Sequence, residues 1–485
     1  MGNENSIWMQ DVEMPSFMAL HEDITVDAAV IGGGLCGILT AYYLKKAGLK
    51  TVVLEAARIG SGQTGNTTAK ITSQHGTIYQ KLIKEHGEEK ARQYADANER
   101  AIEEYRKLVS KLNIDCDFTD CSAYLFTLNT PELLEKELEA AKQLGINAYC
   151  TTETELPFRV ASALCFENQA RFHPLKFLSA VAAELDIYEN TKVKAVSKDA
   201  VETECGNVKA KYVIFCCHYP FINFPGFYFL KLHQERSLVT ACRNVPQING
   251  MYLDTDGDGF SFRMHNDILL MGGDGYRTGE NPCGGKAADL QEISKKYWPE
   301  SISVASWSAQ DCISIDGVPY IGRFSDSEPN WYVATGFGKW GMTSSMASAL
   351  MIKNIIVKGK SQWDDIFSPK RFNATSAKGM MKESIQAVRG LGKRFFGVPQ
   401  LALAQIQEGR GGIIEHNGHK VGVYKNENGE MFAVEPYCTH LGCQLEWNPD
   451  EKTWDCPCHG SRFDYEGNLI DNPAQSGLNK KKIDL

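Results

Sequence analysis

The sequence has no apolar run approaching the ~18 to 20 residues that cross a bilayer, and its opening MGNENSIWMQ has neither the basic nor the apolar region of a signal peptide. The expectation is a soluble, cytoplasmic protein with no membrane partner. Basic charge is also short: the net charge is −9, and no stripe of Lys and Arg interleaved with aromatics offsets it locally, which excludes a nucleic-acid partner. Gly2 to Ser6 fit the short N-myristoylation pattern, but nothing else in the chain points to an anchor. Cysteine is not lacking. Of fifteen, eleven are scattered through the first 312 residues and read as thiols of a reducing compartment. The other four, Cys438, Cys443, Cys456 and Cys458, fall within 21 residues beside His440 and His459, a clustering that reads as chemical.

At 485 residues the chain is too long for one core, and the size prior gives two to four domains. The stretch that organises it is DAAVIGGGLCGILTAYYLKKAGLKTVVLEA, Asp27 to Ala56. Ala28 to Ile31 suits a buried parallel strand, and Gly32, Gly34 and Gly37 follow in GxGxxG order before a helical pattern that runs to Lys46 and is capped by Gly48. Gly32 makes the tight turn, Gly34 lets backbone amides approach a pyrophosphate, and Gly37 lets the helix lie close on the sheet. Thr51 to Leu54 is a second strand, closed by Glu55, whose carboxylate can accept from a ribose diol. The chain therefore binds a dinucleotide. No second fingerprint for NAD(P)H is evident, because the glycine cluster Gly272 to Gly275, read as a turn, is not followed by a helical pattern.

The polar stretch Ala56 to Gly76 is too long for a simple connection and reads as a ligand cradle, with Ser61, Gln63, Thr64, Thr67 and Thr68 as candidate contacts. Lys70 and His75 could also face the ring, against the blander reading of solvated loop residues. Ala101, Tyr105, Leu108 and Leu112 mark a buried helical stripe, and Thr130 and Pro131 open a second helix ending at Gly145. Short strands are expected over Thr191 to Val196, with Val193 a candidate cofactor contact, over Val201 to Thr203 and over Val208 to Lys209. Lys211 to Cys217 would then return the chain to the parallel sheet. Pro220 to Ser306 is strand-rich. Tyr332 to Ile356 repeats the order strand, Gly-rich turn, helix, so that Gly336, Gly338, Trp340, Gly341, Met342 and Thr343 form a second candidate cofactor contact at a helix N-terminus.

Together these motifs resemble the FAD-dependent oxidoreductases of the D-amino-acid oxidase, glycine oxidase and sarcosine oxidase type, over roughly Asp23 to Gly359. The resemblance implies FAD as cofactor and hydride transfer from a carbon next to nitrogen, with the protein mainly positioning that carbon. One departure stands out. Members that oxidise amino acids often carry an Arg before the DG turn to clamp the substrate carboxylate, whereas here Gln310 and Asp311 occupy that place. Asp311 is the candidate catalytic-site residue, either holding a cationic amine or only capping a turn.

In the last 85 residues CTHLGC and CPCHGS give CxH, 15 intervening residues, then CxxH. The set resembles a Rieske 2Fe-2S domain; a tetrahedral zinc site is the alternative that the two Cys and two His leave open. The resemblance implies Cys438 and Cys456 on one iron, His440 and His459 on the other, and a potential of about −150 to +300 mV. It also implies a Cys443–Cys458 disulfide, a hydroxyl from Ser461 toward a bridging sulfur, and Phe463 in place of a Tyr that donates such a bond.

The expected architecture is an α/β, Rossmann-like FAD-binding domain of glutathione-reductase type (24–84, 146–220, 305–360). An antiparallel-sheet substrate domain is inserted in it (85–145, 221–304), and a linker (361–397) leads to an all-β Rieske domain (398–485). The expected function is a dehydrogenase that takes electrons from a C–N bond of a small amine or amino acid to FAD, then through the cluster to an unknown external acceptor. The flow could also run the other way. An O2-using oxidase with a structural Rieske domain, and a redox sensor or carrier without turnover, are the alternatives.

Overall fold

The strand Ile24–Ile31 reads ITVDAAVI, and its last four residues are all buried, as a strand covered on both faces of a parallel sheet must be. In the computed structural model, which describes residues 6–198, 200–257, 259–372, 374–396 and 406–481, it pairs parallel with Thr51–Leu54 on one side and Asn207–Phe215 on the other. Asp186–Tyr188 and Trp331–Thr335 extend this first sheet in parallel, Tyr320–Arg323 closes one edge antiparallel, and Val193–Val196 and Ala200–Thr203 form a side ribbon. The expected strands over 208–209 and 211–217 are one continuous strand, Asn207–Phe215. The helix Leu35–Lys46 is buried at nine of twelve positions, which suits a helix between the sheet and a further helical layer.

A second sheet of nine strands supplies the opposite wall. Its order runs Ile302–Ser314, Leu232–Arg243, Ile268–Arg277, Ser261–His265, Met251–Asp254, Thr119–Thr127, Ser162–Arg171, Lys70–Ile71, with Ala148–Thr151 also on Ser162–Arg171. It is antiparallel except where Met251–Asp254 runs parallel to Thr119–Thr127. Sheet membership departs from the expected boundaries. Lys70–Ile71, Ala148–Thr151, Ser162–Arg171 and all of Ile302–Ser314 from residue 305 on, placed by the sequence in the cofactor domain, pair in this second sheet. Conversely, the helix Glu88–Leu112, expected in the substrate domain, packs on the cofactor-side helix Gly341–Lys358, where the Tyr105 hydroxyl donates to the Met342 carbonyl at 2.8 Å. Gly272 to Gly275 form no turn: they lie inside the strand Ile268–Arg277, where a Cβ on Gly273 would stand 2.3 Å from the Phe260 ring.

The arm before the first strand is tied down by Trp8, wholly buried, whose indole donates to the Thr67 carbonyl at 2.7 Å. Burying an indole, roughly 200 Å² at about 25 cal/mol/Å², contributes on the order of 5 kcal/mol before entropy, enough to fix the polar loop beneath it. The helix Ala374–Phe396 covers the junction to the last region, whose strands form one sheet of three and one of four around Trp447, Trp454 and Tyr424. Gly2 to Asn5 of the myristoylation pattern and the expected 397/398 boundary lie outside the described residues. Among the described residues no helix is long and apolar enough to cross a membrane.

Candidate active site and cluster site

The glycine turn is set by backbone contact. Gly32 has φ +109°, and a Cβ there would lie 2.5 Å from the Cys216 carbonyl oxygen; one on Gly37 would lie 1.8 Å from the Gly32 carbonyl oxygen. Glu55 ties the turn to the next strand: its Oε2 accepts from the Gly33 N–H at 2.6 Å and its Oε1 from the Ala57 N–H at 2.8 Å. Burial raises its carboxyl while these amides oppose the rise. Each oxygen keeps a lone pair for a further donor. Thr64 Oγ1 accepts from the Leu35 N–H at 3.0 Å, so it caps the helix as well as lining the site.

One cavity of about 1070 Å³ opens here. Of the residues proposed from sequence, Gly32, Gly34, Glu55, Ser61, Gln63, Thr64, Thr67, Thr68, Val193, Gly336, Gly338, Trp340, Gly341 and Met342 line it. Gly37 and Thr343 do not. Gly37 acts through packing, and Thr343 bonds His75 at 3.1 Å. His75 is buried off the cavity, with Nε2 on the Thr72 carbonyl at 2.8 Å, Nδ1 on the Tyr94 hydroxyl at 2.6 Å and its ring stacked 4.6 Å from Trp340. Burial pushes it down to about 3, so it is a neutral spacer behind Trp340. Lys70 does line the cavity. Burial, reinforced by Arg263, pushes it down to about 7, and its ammonium donates to the Tyr252 carbonyl at 3.3 Å.

Asp311 stands on the strand Ile302–Ser314, in the cavity wall, rather than in a turn; it accepts from the Ser237 hydroxyl at 2.6 Å. Burial raises its carboxyl, and the nearby Lys339 draws it back. Sequence reasoning missed Arg236, Ser237 and Tyr252 on this wall, because which strand residues face a cavity depends on register, and it missed His218 in the bend after the strand Asn207–Phe215. It also missed that the last region closes the cavity, through Arg462, Leu469 to Asn472, Ala474 and Gln475.

The two cysteine–histidine loops meet beside that wall. Cys438, Cys456 and His459 are buried, and the His440 and His459 rings stand 4.9 Å apart. Nδ1 of both histidines is buried without a hydrogen-bond partner, a costly state for a ring nitrogen unless a ligand takes it. Burial lowers both imidazoles, His440 to about 4, which favours the neutral form a metal requires. Among the thiols, Cys456 is the one pushed down, by bonds from Cys438, Cys443 and Cys458. Two orphaned Nδ1 atoms and two buried ligand thiols fit an iron–sulfur cluster. Cys443 and Cys458 are free thiols here rather than the implied disulfide, with sulfurs within 4.8 Å of one another. Ser461 Oγ accepts from the Ala474 N–H at 3.0 Å, which ties the second ligand loop to the cavity wall.

The ligand loops are bonded to the oxidoreductase half throughout. His440 Nε2 pairs with Asn223 Oδ1 at 2.8 Å, and the His459 ring meets Phe229 edge-on at 6.1 Å. Gln234 Nε2 donates to the His459 and Asn472 carbonyls at 2.8 and 2.9 Å, while its Oε1 pairs with His218 of the cavity wall at 3.0 Å. Gln310 Nε2 donates to the Gly460 carbonyl at 2.7 Å. Arg277 donates to the Pro457 and Cys458 carbonyls, each at 3.1 Å. Glu451 takes Arg236 at 3.0 Å from one half and Arg462 at 2.7 Å from its own. Burial alone would raise this carboxyl, but the two guanidiniums outweigh it and hold it at about 2.

Comparison with known proteins agrees with this arrangement. Residues 27–355 match the family model FAD dependent oxidoreductase, and residues 398–482 match the Rieske [2Fe-2S] domain. A Bacillus subtilis (strain 168) protein, YhfW, named for a Rieske 2Fe-2S iron-sulfur centre, is 36% identical over 99% of this chain and 97% of its own length. Gamma-glutamylputrescine oxidoreductase of Escherichia coli (strain K12) is 29% identical over 41% of this chain and 50% of its own. Among solved structures, L-proline dehydrogenase from P. horikoshii has a TM-score of 0.62 at 20% identity, over 73% of this chain and 98% of that one. Glycine oxidase from Geobacillus kaustophilus has 0.61 at 18%, over 73% and 100%. These last two likenesses establish the fold.

Proposed function

The chain belongs to the FAD-dependent oxidoreductase family and ends in a Rieske [2Fe-2S] domain, and from that premise we propose that it is a dehydrogenase for a C–N bond of an amine or amino acid, delivering electrons through the cluster to an external acceptor. FAD, when bound, supplies hydride acceptance, and the cluster supplies single-electron carriage. The observation that carries this reading is the shared wall. His218 and Gln310 line the cavity, and Gln234 and Gln310 bond the carbonyls of His459 and Gly460. A purely structural appendage has no reason to press its ligand loop against the substrate cavity.

On this reading the glycine turn, Glu55, the polar loop and the turn Gly336 to Met342 hold FAD. Cys438 and Cys456 with Nδ1 of His440 and His459 hold the cluster, and the neighbouring thiols of Cys443 and Cys458, once oxidised, would cross-link its two loops. Asp311, fixed by Ser237, takes the cationic end of the substrate. The names of the proline, glycine and gamma-glutamylputrescine relatives support an amine or amino acid. The scattered cysteines, free among the described residues, support a reducing, cytoplasmic setting.

The test is anaerobic titration of the holoprotein with candidate amines and amino acids, followed at flavin and cluster wavelengths. Both centres should be reduced by a substrate. A flavin that reduces while the cluster stays oxidised would favour an oxidase with a structural Rieske domain, and reduction of neither by any candidate would favour a sensor or carrier. Asp311→Asn should raise the amine KM by about tenfold, the worth of one charge-assisted hydrogen bond, and leave FAD content unchanged. Unchanged amine kinetics would return Asp311 to a structural role.

A further inference from the structure

The helix Ala374–Phe396 has two faces of opposite character. Its inner face is Gly379, Glu383, Gln386 and Gly390, which at 3.6 residues per turn fall on one side. A Cβ on Gly379 would stand 2.6 Å from that of Ile315, Glu383 takes Arg277 at 3.1 Å, and a Cβ on Gly390 would stand 2.3 Å from the Cys458 sulfur. This face clamps the cluster loops onto the oxidoreductase half. The outer face carries Met381, Ile385, Val388 and Leu391, exposed by 63, 46, 69 and 37%. These residues follow one another at i, i+4, i+7 and i+10, a single apolar stripe in water.

Beside the stripe, on one shoulder, run Lys378, Lys382, Arg389 and Lys393, all exposed. The one acid in the helix, Glu383, is buried on the inner face. Lys393 pairs with Glu446 at 2.6 Å, but among the described residues no ion pair holds Lys378, Lys382 or Arg389. In a chain of net charge −9 this is a concentrated basic face. The helix also touches the turn Tyr228–Leu230, and the loop leading into that turn exposes Phe224 by 64% and Phe227 by 46%.

An exposed apolar stripe flanked by lysine and arginine on one shoulder matches the chemistry of an anionic lipid surface, with aliphatic groups entering the headgroup boundary and cations meeting lipid phosphates. We propose that the helix Ala374–Phe396 lies on anionic membranes and docks the protein there with the cluster loops beneath it, one helix diameter, about 10 Å, from the lipid. A surface-lying helix needs no spanning segment. The expected absence of a membrane partner is replaced, on this proposal, by reversible attachment.

The experiment is sedimentation of the holoprotein with vesicles of equimolar phosphatidylglycerol and phosphatidylcholine, against vesicles of phosphatidylcholine alone. Binding to the anionic vesicles alone, reversed by salt, is expected. Lys382→Gln with Arg389→Gln should weaken it by about 25-fold, roughly fivefold per residue, and Ile385→Ser with Val388→Ser should weaken it independently. None of the four side chains lines the cavity or the cluster site, so FAD and iron contents should stay constant. Failure of the native protein to bind, equal binding to neutral vesicles, or unchanged binding by both variants would overturn the proposal. So would a concentration-dependent dimer that Ile385→Ser dissociates while vesicles bind nothing, which would give the stripe to a second copy. The reading does not depend on turnover, so it can fail while the dehydrogenase reading stands.

Discussion

The cofactor cradle and the cluster site solve the holding problem in opposite ways. At the cradle the binding surface is backbone: glycines with no room for a Cβ, amides at a helix start, and an acid that itself bonds two amides. At the cluster site the binding surface is side chain, with two buried Nδ1 atoms and two buried thiols in the turns between short strands. A dinucleotide is recognised by its phosphates and hydroxyls along a length, so a spaced run of small residues suffices; an iron cluster is held by a few strong bonds, so ligand identity is everything.

The sharpest way to break that contrast is at a ligand. Cys456→Ser should reduce cluster affinity by more than the ~10–100-fold that changing an outer partner costs, leaving iron and sulfide near zero while FAD content holds. Iron retained at full stoichiometry would remove Cys456 from the ligand set. At the cradle the damaging change is an addition. Gly37→Ala puts a methyl 1.8 Å from the Gly32 carbonyl oxygen, and because the neighbour is backbone the cost should exceed the ~1–3 kcal/mol of ordinary overpacking. Loss of FAD with the cluster intact is expected; full FAD occupancy at an unchanged Tm would show that the helix can shift.

The smallest effect lies between the two regions. Glu451 is held at about 2 against an ordinary value of 4.5, a difference that contributes roughly 3 kcal/mol. Because the folded value is depressed, that stability is present above about 4.5 and is lost as pH falls toward 2. Tm measured against pH for the native protein and Glu451→Gln should therefore show a gap at neutral pH that closes in that window. A gap independent of pH would mean that the carboxylate charge does not join the halves.

Much of this molecule was legible because its signals are local. The order strand, glycines, helix, strand, acid lies within Asp27 to Glu55, and CTHLGC with CPCHGS lies within 24 residues, so spacing alone carries the chemistry. Cavity-lining positions were legible where a loop or a turn supplied them, as with Ser61 to Thr68 and Gly336 to Met342. On strands, Val193 and Asp311 apart, they were not. Arg236 and Ser237 read as ordinary sheet residues until the pairing of Leu232–Arg243 with Ile302–Ser314 fixes which of them face the cavity.

Sequence by itself also determined the cofactor classes and the all-β character of the last region, since ligand spacing and hydrophobic alternation are properties of short stretches. Only tertiary structure decided that Lys70–Ile71, Ser162–Arg171 and Ile302–Ser314 leave the cofactor region for the second sheet, because strand pairing is a non-local choice. Only it decided that Asn472 reaches across 255 residues to the Cys217 carbonyl, at 2.9 Å, and makes the cluster domain a wall of the cavity. No periodicity encodes that contact: it forms between two surfaces that exist only after each half has buried its own core.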